Sequence, residues 1–283
     1  MMLLTPAVQT LIDQALAEDQ AFNDPTTRTL IPHDLQATAA LRAKAPGVLA
    51  GVDVALAVFR RVDAAVHTEA RMADGSPLKP GDTIATARGA AAGLLAAERT
   101  ALNFLQRMSG IATETARYVE AVKGHKAAIV DTRKTVPGWR ELDKYAVRMG
   151  GGRNHRMNLA DGILVKDNHI AILKARGLSL EQIVAQALKN APHTLKVEVE
   201  VAAPEEAVEA VEAGAHIVML DNMTPSEMRR AVALVAGRAL VEASGGVTLA
   251  NVREVAATGV DIISIGALTH SPRALDISMD LES

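Results

Sequence analysis

After residue 110 the chain carries six short apolar runs, at residues 127–130, 163–165, 197–201, 217–220, 239–241 and 262–265. Stretches with helical spacing lie between several of them, at 179–189, 204–213, 225–235 and 249–257. Runs this short read as strands, and strands alternating with amphipathic helices argue for a parallel sheet or an α/β barrel. Polar residues or glycines gather at the C-terminal end of nearly every run. They are Asp131-Thr132-Arg133-Lys134, Lys166-Asp167-Asn168-His169, Glu200, Asp221-Asn222, Ser244-Gly245-Gly246 and Gly266-Ala267-Leu268. In a parallel barrel that end is the ligand-binding face, so these groups are expected to converge on one pocket.

The first 110 residues have a different texture. Thr5-Pro6 starts a helix whose apolar positions are Val8, Leu11, Ile12, Ala15 and Leu16. Strands are expected at 36–43, 65–72 and 83–87, and helices at 51–61 and 91–108. The result is an α+β module with a soft boundary near 110. A length of 283 residues accommodates such a module plus a barrel. Only six aromatic residues are present, so the core is aliphatic and no platform exists for stacking nucleic-acid bases. The net charge of −3 also argues against a nucleic-acid partner. The absence of cysteine excludes disulfides, thiolate metal sites and a cysteine nucleophile. The longest uncharged run is 1–12, too short for a membrane span. No basic residue precedes Arg28, so a secretory leader is not expected and a soluble cytoplasmic protein is.

Charge is unevenly distributed. Residues 131–170 hold eight Lys or Arg against five acids. Arg140 and Lys144 read equally well as a solvated helix face, but Arg133, Lys134 and Lys166 sit at expected strand ends. Guanidinium forks and a focused basic cleft suit carboxylates and phosphates. The Gly150-Gly151-Gly152 run beside Arg153-Asn154-His155-Arg156 adds an anion-binding loop, and Ser244-Gly245-Gly246 ahead of a helix reads as a phosphate nest. In Lys196-Val197-Glu198-Val199-Glu200-Val201 the period is two, which puts both glutamates on the inward face opposite the valines. Inward carboxylates need cations or a metal, with Lys134 and Lys166 as partners. Glu200 and Asp221 suit Mg²⁺, sugar hydroxyls or a developing positive charge on a sugar carbon. A structural ion-pair network, a Schiff-base lysine at Lys166 and a glycosidase carboxylate pair remain as alternatives at this level.

The motif series resembles the quinolinate phosphoribosyltransferases. The similarity runs through Asp131-Thr132-Arg133-Lys134-Thr135-Val136-Pro137-Gly138, Lys144-Tyr145-Ala146-Val147-Arg148, Asn154-His155-Arg156, Leu164-Val165-Lys166-Asp167-Asn168-His169, Glu198-Val199-Glu200, Leu220-Asp221-Asn222, Ser244-Gly245-Gly246 and Gly266-Ala267-Leu268-Thr269-His270. Upstream, Glu18-Asp19, Asp24-Pro25-Thr26-Thr27, Glu98-Arg99-Thr100-Ala101-Leu102-Asn103 and Ser109-Gly110-Ile111-Ala112-Thr113 extend it, so it covers roughly residues 16–272. Trp139 and Arg153 depart from the pattern without touching a motif residue.

The resemblance implies an N-terminal α/β sandwich over residues 1–110 and an incomplete (open) α/β barrel over 111–270. The tail 271–283 returns to the sandwich. It implies a reaction of quinolinate with phosphoribosyl pyrophosphate, assisted by Mg²⁺, that yields nicotinate mononucleotide, pyrophosphate and CO₂ for NAD synthesis. Arg99, Thr132, Arg133, His155, Arg156 and Lys166 would then hold quinolinate, with Arg99 supplied by a neighbouring subunit. Lys134, Glu200 and Asp221 would serve the phosphoribosyl donor and the chemistry, the two acids also meeting Mg²⁺ directly or indirectly. Ser244, Gly245, Gly246, Gly266, Ala267 and Leu268 would bind the 5-phosphate. The assembly implied is a homodimer with shared sites, alone or built into a hexamer. A paralogue associated with molybdenum transport, using another acceptor, and a Lys166 aldolase are the alternative functions.

Overall fold

A computed structural model describes residues 4–282. The helices are α1 (Pro6–Glu18), α2 (Pro25–Leu30), α3 (Val52–Val62), α4 (Ala91–Ala121), α5 (Arg140–Met149), α6 (Asp167–Lys174), α7 (Leu180–Asn190), α8 (Pro204–Glu212), α9 (Pro225–Val235), α10 (Val252–Ala256) and α11 (Ala267–His270). The strands are β1 (Gln36–Ala43), β2 (Gly47–Val48), β3 (His67–Ala70), β4 (Pro77–Leu78), β5 (Thr83–Ala90), β6 (Ala128–Val130), β7 (Ile163–Val165), β8 (Val197–Val201), β9 (Ile217–Asp221), β10 (Leu240–Ser244), β11 (Ile262–Ser264) and β12 (Ile277–Glu282). The chain forms two compact units. One comprises the residues up to Ala116, Thr135–Gly151 and those from Leu268 onward; the other comprises Arg117–Lys134 and Gly152–Ala267. Among the described residues no helix is long and apolar enough to cross a membrane.

The first unit is built on an antiparallel sheet in the order β12-β1-β5-β3. Helix α3 buries Val54, Ala55, Leu56, Val58 and Phe59. Its N-terminus starts at Gly51, which has φ +94° and no side chain with which to cap. The Asp74 carboxylate supplies that function from a distant turn, accepting from Gly51 N at 2.9 Å and Val52 N at 3.1 Å. Tyr145 Oη donates to the same carboxylate at 2.7 Å. Burial and the Asp74 hydrogen bond both push the Tyr145 hydroxyl well above its usual pKa, so it stays a donor.

Helix α5 departs from the sequence reading. Lys144 and Asp143 are fully buried, so the solvated-face reading fails for Lys144. Asp143 is gripped by Arg107 through Nε at 3.2 Å and Nη2 at 3.0 Å, and Arg107 Nη2 also donates to Thr269 O at 3.1 Å. Trp139 stacks on Phe104 at 4.7 Å between ring centroids, with the Arg107 guanidinium over its ring. These contacts between sequence-distant residues turn a polar-looking helix into core.

The second unit carries a six-stranded, wholly parallel sheet in the order β6-β11-β10-β9-β8-β7. This is the expected incomplete barrel: among the described residues β6 and β7 are not paired with each other, and beyond β6 the sheet gains only the Val130–Arg153 bridge. Helices α7, α8 and α9 bury the stripes Ile183/Val184, Ala207/Ala210/Val211 and Met228/Ala231/Val235. Capping boxes at Ser179 and Thr224 start two of them. In β8 the valines are fully buried and the glutamates take the other face, as the period of two requires. Strand β10 continues to Ser244, beyond the expected end at 241, and so includes Glu242. Helix α6 follows Lys166 directly, a start concealed in the sequence by the polar run of residues 167–169.

Candidate active site

A cavity of about 440 Å³ opens within the second unit. Its lining comes from the C-terminal halves of the strands and the segments that follow them. Thr132, Arg133 and Lys134 follow β6, Lys166 follows β7, Glu200 and Asp221 close β8 and β9, and Ser244 ends β10. His155 and Arg156 complete the set. Nine of the site residues expected from the sequence thus line one cavity. Arg99 is an exposed residue of the first unit, and Gly245, Gly246, Gly266, Ala267 and Leu268 do not line this cavity. Leu164, Met219, Glu242 and Ser264 line it without having been singled out.

The segment carrying His155 and Arg156 is pinned by a buried aspartate. Asp131 is fully buried just after β6; its Oδ1 accepts His155 N at 2.9 Å and its Oδ2 accepts Asn154 Nδ2 at 2.5 Å. Asp131 N donates to Arg153 O at 3.2 Å, and Arg153 N to Ile129 O at 2.9 Å. The loop is thereby stitched alongside β6 like a short extra strand. Arg156 Nη1 donates to Gly162 O at 3.1 Å.

Cations concentrate at the two edges of the open sheet, and carboxylates at its centre. The Arg156 guanidinium is pushed below its usual pKa, first by burial and then by the Arg133 charge nearby. Arg133 Nε is buried with no hydrogen-bond partner, which leaves a donor open to an anionic ligand. On the opposing strands, burial and then the like charge of Asp221 raise the Glu200 carboxyl, while Lys166 offsets part of the effect. Two hard oxygen donors on neighbouring strands, with the Asp221 charge raising the proton affinity of Glu200, have the chemistry of a Mg²⁺ site. Asn222 Nδ2 donates to Asp221 Oδ2 at 2.9 Å.

The other glutamate of β8 has a different partner from the lysines expected. His155 Nε2 lies 3.3 Å from Glu198 Oε2 and 3.5 Å from Glu242 Oε2. Burial opposes charging of the His155 ring, but hydrogen bonds to Glu198 and Glu242 outweigh it and bring the pKa up to about 10. Burial is also what raises the Glu198 carboxyl most, with His155 pulling it back. Glu242 could have been found by extending the period-two pattern one step past residue 241.

The Ser244-Gly245-Gly246 turn does not lead straight into a helix, since α10 begins at Val252. Gly245 has φ +89° and Gly246 φ +63°. A Cβ at Gly245 would run into the Asn222 side chain, whereas one at Gly246 would meet nothing within 4 Å. The turn therefore needs glycine at 245 both for its dihedral angle and for the close approach of Asn222.

Comparison with known proteins was consistent across the whole chain. Residues 24–109 match the family "Quinolinate phosphoribosyl transferase, N-terminal domain" and residues 111–280 match "Quinolinate phosphoribosyl transferase, C-terminal domain". The probable nicotinate-nucleotide pyrophosphorylase [carboxylating] of Bacillus subtilis is 42% identical over 271 residues, covering 96% of this chain and 92% of that protein. The nicotinate-nucleotide pyrophosphorylase [carboxylating] of Mycobacterium leprae is 43% identical over 281 residues, 97% of each. The crystal structure of NadC from Streptococcus pyogenes superposes with a TM-score of 0.93 at 43% identity, covering 99% of this chain and 98% of that one. The sandwich, the six-stranded open barrel and the motif-bearing strand ends are therefore those of a shared fold, and the chain belongs to the quinolinate phosphoribosyltransferase family.

Proposed function

We propose that this protein transfers the phosphoribosyl group of phosphoribosyl pyrophosphate to the ring nitrogen of quinolinate, with loss of CO₂, giving nicotinate mononucleotide and pyrophosphate for NAD biosynthesis. The observation that carries this reading is the division of charge in one cavity, with Arg133, Lys134, Arg156 and Lys166 facing Glu200 and Asp221. A dicarboxylate and a polyphosphate both require fixed cations, and a sugar carbon that becomes positive as pyrophosphate leaves requires nearby carboxylates. Arg133, Arg156 and Lys166, with Thr132, hold the acceptor. Lys134 lies between the acceptor and the donor, and Ser244 to Gly246 with Gly266 to Leu268 receive the 5-phosphate.

In the reaction, the ring nitrogen forms a bond to the ribose carbon as the bond to pyrophosphate breaks. Cleavage of the bond to the carboxylate leaves its electron pair on the ring carbon beside the nitrogen, where a proton from solvent replaces CO₂. Fixed guanidinium groups stabilise that charge without a covalent intermediate. Glu200 and Asp221 are the residues that would hold Mg²⁺, which supplies charge neutralisation on the departing pyrophosphate. An aldolase reading is not favoured, because Lys166 is exposed and lacks the desolvation that activates an amine nucleophile. Arg99 is read as reaching the site of a neighbouring copy in a homodimer, itself free or part of a hexamer, in the cytoplasm.

The test is an assay of purified protein with quinolinate, phosphoribosyl pyrophosphate and Mg²⁺ that follows CO₂ and nicotinate mononucleotide together. Equal yields of both are expected. Folded protein that binds phosphoribosyl pyrophosphate yet makes neither would point to another acceptor.

A further inference from the structure

Asn222 joins two parts of the site that the reaction above uses separately. Asp221 ends β9, Ser244 ends β10, and the two residues are paired in the parallel register. The strands stay together one step further, because Asn222 N donates to Ser244 O at 2.9 Å. There the chain turns, with Asn222 in the left-handed region at φ +53°. Asparagine and aspartate enter that region more readily than other residues that carry a Cβ. The backbone alone therefore leaves three residue types at this position: asparagine, aspartate and glycine.

The side chain decides among them. Asn222 Nδ2 donates to Asp221 Oδ2 at 2.9 Å. An ionised carboxylate only accepts, so the NH₂ end of the carboxamide is the end that faces it. The same carboxamide lies against Gly245, where an added Cβ would stand 2.6 Å from Asn222 Cγ. Glycine at 222 would suit the backbone but take away this donor and uncover Gly245. Aspartate would keep the cover but set a second carboxylate against Asp221. The far end of the turn has its own anchor, since Asn251 Nδ2 donates to Gly246 O at 3.0 Å and its Oδ1 accepts Thr248 N at 2.8 Å. We infer that Asn222 is a positioning residue for the phosphoribosyl donor: it fixes the Asp221 carboxylate relative to the Ser244-Gly245-Gly246 turn, so that the ribose hydroxyls and the 5-phosphate are gripped at one set spacing. The inference rests on the donor proposed above.

The test uses the full-length protein with Asn222→Gly and Asn222→Asp. Ribose 5-phosphate, which carries both the hydroxyls and the 5-phosphate, is titrated calorimetrically without Mg²⁺, alone and beside quinolinate. Quinolinate is titrated separately, and the KM of each substrate is measured in the complete reaction. Asn222→Gly suits the left-handed backbone, so its unfolding midpoint is expected to stay near wild type. Its affinity for ribose 5-phosphate is expected to fall about 10-fold, the lower end for a charge-assisted hydrogen bond. Quinolinate affinity is expected to hold, and the KM for phosphoribosyl pyrophosphate to rise while that for quinolinate does not. Asn222→Asp keeps the backbone preference and the cover over Gly245, so a merely structural role predicts near-wild-type binding. The positioning role predicts a loss at least as large as that of the glycine variant, because like charge replaces the donor. Rescue by aspartate, unchanged ribose 5-phosphate affinity in Asn222→Gly, or an equal loss for quinolinate overturns the inference. If one variant fails to fold, the other decides by the same criteria. Wild-type protein that binds neither ribose 5-phosphate nor phosphoribosyl pyrophosphate overturns the assigned donor and this inference with it, a result distinct from wild-type binding that the variants leave intact.

Discussion

Asp131 holds the loop that brings Arg156 to the cavity, and removing it should show how strongly. Asp131→Ala strips the acceptor from two donors, the His155 amide and the Asn154 side-chain amide. Both bonds are to a fully buried carboxylate, and a charged hydrogen bond contributes ~1.5–3 kcal/mol net. Water entering the vacated space recovers part of the loss, so a drop of ~3–4 kcal/mol in unfolding free energy is expected. Asp131→Asn is the informative companion. Its single oxygen can keep the His155 amide, and a flip of Asn154 turns that side chain's oxygen toward the new NH₂, limiting the loss to ~1–2 kcal/mol. Urea titrations of the three proteins measure the series, and quinolinate titrations should weaken in the same order because the loop carrying Arg156 loosens. Equal stabilities of the Ala and Asn variants, or an Ala variant within ~0.5 kcal/mol of wild type, would refute the view that these two hydrogen bonds hold the loop.

Three further outcomes are expected. Arg133→Ala should lower quinolinate affinity by ~2–3 kcal/mol, since a charged donor pair is lost, and a calorimetric titration with unchanged affinity would remove Arg133 from the acceptor site. Arg99→Ala and Glu200→Ala proteins, each inactive alone, should regain partial activity after subunit exchange; verified exchange with no recovery would count against a site shared between chains. The raised Glu200 carboxyl takes up its proton at a higher pH than an ordinary glutamate, so the KM for phosphoribosyl pyrophosphate should begin to rise on acidification earlier than an unperturbed carboxylate would allow. A Glu200→Gln protein should lack that rise, and an identical pH profile in the variant would assign it to another group.

The strand ends were legible because a parallel barrel puts chemistry in a fixed place, and because Glu198 and Glu200 alternate with valines that can only face the helices. Glu242 escaped the same rule. In the sequence an apolar run ends where a buried acid begins, and the partner that makes the acid tolerable, His155, lies on another loop. The burial of Lys144 was hidden for a similar reason. Local sequence shows a charged helix face, whereas the neighbouring aspartate on that face is held inside by Arg107, a residue of α4. The start of α6 was masked by polar residues that serve both a strand end and a helix cap. The specific acceptor and the expectation of a second subunit came from the family resemblance, since spacing alone also allowed a Schiff-base lysine.

Strand β12 pairs along nearly the full length of β1, from Ala43–Ile277 to Thr38–Glu282. During synthesis this reverses the order in which the two units reach completion. When residue 270 leaves the ribosome, every strand of the parallel sheet has been made, but the sheet begun first still lacks its edge. Until residues 277–282 emerge, β1 presents open backbone donors and acceptors to any neighbouring nascent chain. The unit translated first is thus the last to close, and extensions placed after residue 282 would continue directly from an edge strand.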